Sequence, residues 1–224
     1  MFAVGGWDKV FSINHETFRE ETLEVLSTFE TYRSAIQECS LTAISFQLFG
    51  EKKTMSYIHF SMLMGFYDKD AFHTRLLTSF PEDIITLTRY WLQLGGCHGN
   101  QNTSYMSDLV HRFILALVSR SIAGQDDNTG KVTISDLFIL YSIFERVPIH
   151  LGYVVADYLV HQGTHTRLKT ITAGPYITRL IIGMGLEEKT EGMERLQLMI
   201  GLGMSTLFQM VLVKHSGSRY TLVG

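Results

Sequence analysis

The sequence predicts a mainly α-helical domain, residues 1–224, with an antiparallel helix hairpin core and a small β-hairpin. Three observations predict it. The stretch Lys131–Gln162, KVTISDLFILYSIFERVPIHLGYVVADYLVHQ, reads as two apolar helices joined by a short turn. Apolar residues recur at i, i+3, i+4 and i+7 in several other segments, the spacing of one helix face. At Ile44–Phe49 apolar and polar residues alternate instead, and a polar turn follows, the pattern of a strand entering a hairpin.

The central stretch opens with Thr133 and, three residues on, Asp136. This is a capping box with Asp in place of the usual Glu. Leu137, Phe138, Leu140, Tyr141, Ile143 and Phe144 then cover most of the helix circumference, and a helix apolar nearly all round is a buried one. Pro148 stops it by pushing Val147 towards extended geometry. Leu151, Val154, Val155, Tyr158 and Leu159 fall on one face of a second helix. So short a turn packs the two helices antiparallel.

The remaining elements follow in chain order. Asn14 is the expected N-cap of an amphipathic helix running to about Arg33, with Phe18, Thr22, Val25, Phe29 and Tyr32 on its apolar face. A strand at Ile44–Leu48 turns through Gly50–Lys53 into a short return strand at Thr54 and Met55. Ser56 caps a helix through Met64, ended by Gly65. Residues 67–83 read as loop with a short helix. A helix from Ile84 to Leu94 carries Ile84, Leu87 and Trp91 on one face. Another, Tyr105–Ile122, turns Leu109, Val110, Phe113 and Leu117 inward. Loops are expected at 98–103, 124–130 and 163–172. Pro175 suits the first turn of a helix carrying Ile177, Leu180, Ile181 and Met184. A further helix is expected over Glu191–Ile200, and the end of the chain, VLVKHSGSRYTLV, forms a hairpin or an extended tail.

Composition excludes several classes. Hydrophobic residues make up 46% and charged residues 18% of the 224, which is globular rather than disordered. A net charge of −3 gives no field that favours polyanions. Cys39 and Cys97 are too few for a disulfide framework or a cysteine-based zinc site. The N-terminus lacks the basic start and apolar core of a signal peptide, so the chain reads as intracellular and reduced, in cytoplasm or nucleus. Leu196–Val213 carries no charge, but Gln197, Gly201, Gly203, Ser205, Thr206 and Gln209 favour a helix end and a buried strand over a membrane span.

No motif assigns a catalytic, cofactor-binding or metal-binding residue. Residues 125–136, QDDNTGKVTISD, fit an EF-hand register with Gly130 at the turn, Asp127, Thr129 and Val132 within it and Asp136 last. Position one is the neutral Gln125, and Asp136 is too short for the usual bidentate Glu, so a polar loop is expected. His161 and His165 have metal-ligand spacing without a third ligand. Cys97-His98 has nothing to activate the thiol. Gly183-x-Gly185 and Gly201-x-Gly203 lack the third glycine of a nucleotide loop. An enzyme would need a pocket gathering His98, His150, His161 or His165. A nucleic-acid-binding domain would need Lys52, Lys53, Arg112, Arg120, Lys131 and Arg146 clustered on one face.

Four segments carry a family resemblance. WDKVFSINHETFREETLEVLSTFE resembles the INxPTYxELTLEFLSTF segment of Athila-type plant LTR retrotransposon first-open-reading-frame proteins. ISFQLFGEKKTMSYIHFSMLMGF, the stretch from HRFILALVSRSIAG to VVADYLVHQ, and AGPYITRLIIGMGLE resemble further segments of the same family in the same order, from Trp7 to Glu188. The hairpin and helix ending at Leu63-Met64-Gly65-Phe66 are also similar to the plant mobile domain. The resemblance implies a plant protein of retrotransposon origin, regarded as gag-like by position, with no established activity and no catalytic residues to carry over. With the composition, this gives the expectation of a non-enzymatic structural domain that binds protein partners or itself, and no membrane. Nucleic-acid binding is the alternative, without support from charge. The chain lacks the long polar extensions such proteins usually carry and so reads as a fragment of a longer one.

Overall fold

The computed structural model describes residues 6–32, 42–67, 84–97, 101–122, 131–147, 149–164, 171–196, 213–216 and 219–222. Eight α-helices and three small antiparallel sheets lie among them, a mainly helical fold. The chain divides into two compact units, the first built from residues 1–79 and 148–199, the second from 80–147 and 200–224.

The first unit begins with α1 (Trp7–Phe11), a single turn whose Trp7 and Val10 are buried. Then β1 (Thr17–Phe18) leads into α2 (Arg19–Thr28), and β2 (Glu30–Thr31) follows. The helix expected from Asn14 to Arg33 is therefore shorter at both ends. Thr17 and Phe18 pair with Leu196 and Arg195, and Glu30 and Thr31 pair with Ser45 and Ile44. Those ladders take the backbone groups a longer helix would have used. Phe18 and Phe29 are buried all the same, from extended backbone.

The hairpin joins β3 (Thr42–Leu48) to β4 (Glu51–Ser56), and the sheet order is β2-β3-β4. The turn is tighter than the expected Gly50–Lys53. Leu48 pairs with Glu51, so the loop is Phe49-Gly50 alone, with φ of 55° and 74°. A two-residue loop with positive φ at both positions matches the twist of the strands, but phenylalanine is strained there. Glu24 on α2 holds it: its carboxylate accepts the Phe49 N–H at 2.8 Å and the Gly50 N–H at 2.7 Å. Ser56 then caps α3 (Tyr57–Leu63) as expected, its hydroxyl accepting the His59 N–H.

Two later helices complete this unit, α7 (Leu151–Thr164) and α8 (Gly174–Gly183). Helices α2 and α3 each pack on both. Glycine sets how closely. A Cβ on Gly163 would lie 2.1 Å from the Leu26 carbonyl oxygen, and one on Gly183 would lie 2.3 Å from that of Leu63. After α8 the expected helix over Glu191–Ile200 does not form in its described part. A 3-10 turn at Glu187–Thr190 is followed by Gly192 at φ 81° and by β5 (Arg195–Leu196), which closes onto β1.

The second unit contains α4 (Ile84–Gln93), α5 (Leu109–Arg120) and α6 (Ile134–Phe144), with α4 and α5 both packed on α6. Leu87, Tyr90 and Trp91 turn inward from α4, but Ile84, expected beside them, is 63% exposed. Helix α5 starts four residues later than expected, because the Asp108 carboxylate accepts the Val110 and His111 N–H groups and fixes the cap. Helix α6 carries the expected capping box: Thr133 Oγ1 accepts from the Asp136 N–H, and the Asp136 carboxylate accepts from the Thr133 N–H. The chain-end strands β6 (Val213–Ser216) and β7 (Arg219–Leu222) pair as a hairpin.

Two expectations about the core change. Helices α6 and α7 both form, α6 in the second unit and α7 in the first, and the hairpin core expected of the pair is not confirmed. On α5 the inward face is Ile114, Leu115, Val118 and Ile122 just beyond it, not the expected Leu109, Val110, Phe113 and Leu117. Both arcs are apolar, and helical spacing cannot choose between them. Pro148, the loops at 98–100, 124–130 and 165–170, residues 68–83 and 197–212 lie outside the described residues.

Candidate functional site

Of the residues that sequence singled out for chemistry, His150 and Asp136 are held in structural roles. His150 precedes α7, and its Nδ1 accepts the Tyr153 N–H at 3.1 Å, so the ring caps the helix. Tyr57 and Tyr67 meet the ring edge-on, and burial pushes its pKa down to about 4. The Tyr67 hydroxyl brackets it, donating to the Ile149 carbonyl and accepting the Leu151 N–H. Asp136, last in the EF-hand register, has no solvent exposure and is occupied by Thr133 and by the Ser119 hydroxyl. His161 is half-buried on α7, and His98 and His165 lie outside the described residues. Among the described residues no three histidine, cysteine or acidic side chains converge as metal ligands. Gly185 ends α8 at φ 67°, a helix stop rather than a phosphate loop.

The described basic residues are divided between the two units. Lys52 and Lys53 lie on β4 of the first unit, while Arg112, Lys131 and Arg146 belong to the second. Arg112 is buried, and its Nε donates to the Met106 carbonyl at 2.6 Å. Arg146 is exposed at a left-handed backbone position, φ 59°.

Two surface features were not read from sequence. In the first unit an open groove of about 390 Å3 runs between residues 14–18, α8, the 3-10 turn and β5. Phe18, Ile181 and Ile182 contribute its apolar lining, and Glu16 and Arg195 stand 3.4 Å apart at the edge. The Arg195 guanidinium lies over the Phe18 ring, and Thr178 donates to the Glu16 carbonyl at 2.6 Å. Burial, with the Arg179 charge adding to it, lowers the pKa of His15 there.

The second feature belongs to the second unit. Helices α4 and α5 each carry apolar residues outward as well as inward. On α4 Ile84, Ile85 and Leu92 are exposed; on α5 Val110 is 53% and Phe113 47% exposed, with Leu109 and Leu117 half-buried beside them. At 100° per residue the four α5 side chains span an arc of about 100°, the width of a packing face.

The described residues form small sheets and packed helices, a mainly helical fold. Sequence comparison gives its class. Residues 1–145 match the ATHILA ORF-1 family, and the chain belongs to that family. It is an Athila-type retrotransposon protein encoded by a first open reading frame, and its origin is a transposable element. The match takes in α1 to α6 and ends one residue past α6. No curated protein and no solved structure is significantly similar to the chain.

Proposed function

We propose that this retrotransposon-derived chain is a non-enzymatic, gag-like structural domain that works through protein contacts, either with itself or with partner proteins. The outward apolar arcs on α4 and α5 carry the reading. A helix that is apolar on two faces has one face for its own core and a second for something else. The buried histidine, aspartate and arginine support it from the other side, since each is engaged in holding the fold.

Size-exclusion chromatography with light scattering, run with and without a short RNA, tests this reading. The expected result is mass that rises with protein concentration and does not respond to RNA. A monomer that binds RNA at low salt and releases it at high salt would replace it with nucleic-acid binding.

A further inference from the structure

We propose that the outward face of α5 is the contact between two copies of this chain, packed as antiparallel helices about a two-fold axis at Phe113. This rests on the protein-contact reading above and names its partner. The face is self-complementary in its spacing. Leu109 lies four residues before Phe113 and Leu117 four residues after it. Residues four apart share a helix face, so the stripe reads Leu-Phe-Leu in either direction. A two-fold contact requires that property, because the same patch must meet itself. With Phe113 on the axis, each Leu109 meets Leu117 of the second copy, and Val110 flanks the seam. Antiparallel packing also sets the two helix dipoles side by side in opposite directions, the favourable arrangement.

Area sets the strength. The α5 stripe alone would bury on the order of 500 Å2 over two copies, below the roughly 1,200 Å2 of a stable dimer. Association through so small a face is weak and reversible.

The test uses the full chain. Light scattering from about 1 to 100 μM should show mass rising from 25.5 kDa towards twice that value. Phe113→Glu should weaken dimerisation at least tenfold with an unchanged circular dichroism spectrum. Leu23→Glu, at an exposed position of the first unit, should leave it unchanged. In a Cys39→Ser, Cys97→Ser background, Phe113→Cys should cross-link to itself on mild oxidation. Leu109→Cys should cross-link to Leu117→Cys in preference to itself. A dimer that Phe113→Glu leaves as tight as before would overturn the α5 contact while self-association stands. A monomer at about 100 μM with the thiol of Phe113→Cys open to reagent would overturn self-association and this contact together. A monomer with that thiol protected would mean that the chain covers the face itself, and would also overturn the proposal.

Discussion

Replacing His150 by asparagine should remove much of the acid sensitivity of the first unit. The imidazole now caps α7 through Nδ1, and a nitrogen that accepts the Tyr153 N–H carries no proton of its own. Protonation would remove that acceptor and place a cation at a helix N-terminus, between Tyr57 and Tyr67 and away from water. Burial accordingly lowers the pKa from 6.5 to about 4. The folded-state value is the lower one, so the unfolded chain binds the extra proton as pH falls below 6.5. Stability from this group is complete above that pH and is lost progressively towards pH 4. Between about pH 7.5 and pH 5 the loss is about 2 kcal/mol, and it reaches about 3 kcal/mol in stronger acid. Asparagine is a good N-cap and does not titrate, so the variant keeps the cap and loses this part of the slope. The assay is urea unfolding at both pH values, followed by fluorescence. The chain has two tryptophans, Trp7 in the first unit and Trp91 in the second, so a Trp91→Phe background reports the first unit alone. The parent midpoint should fall by about 1 M more than that of the variant over the same pH interval. Equal falls in parent and variant would refute the assignment.

Gly163→Ala and Gly183→Ala should each destabilise the first unit by about 1–3 kcal/mol in the same assay, because the added methyl meets a carbonyl that cannot turn away. Glu24→Ala should cost about 1–2 kcal/mol and speed amide exchange at Phe49 and Gly50, the two donors its carboxylate holds. Asp136→Ala should cost about 2–3 kcal/mol, read by Trp91 fluorescence, since it leaves Thr133 N–H and the Ser119 hydroxyl without their acceptor.

Local chemistry was legible in the sequence where neighbours along the chain satisfied each other. Thr133 with Asp136, and Ser56 ahead of α3, announced their caps because donor and acceptor lie three residues apart. The ends of α2 were not legible, because Thr17 and Phe18 answer to residues 195 and 196, and Glu30 and Thr31 to residues 44 and 45. The turn at Phe49-Gly50 was missed for the same reason: its holder, Glu24, is remote in sequence. For α5 the spacing revealed a helix but not its buried face, as both arcs are apolar. That ambiguity was itself the signal for the contact surface. The weaknesses of the EF-hand register were readable from Gln125, but the capture of Asp136 by Ser119 on another helix was not.

The first unit is interrupted in the chain by residues 80–147 of the second, and this imposes an order on synthesis. Helices α2 and α3 emerge from the ribosome early, while α7 and α8, which cover them, come only after residue 148. Translating residues 80–150, up to the start of α7, takes about 4–14 s at about 5–20 residues per second. During that interval Val25, Leu26 and Phe60 have no α7 or α8 to pack on. A ribosome paused before residue 148 would therefore present a nascent chain with α2 and α3 made, uncovered by α7 and α8 and open to chaperones.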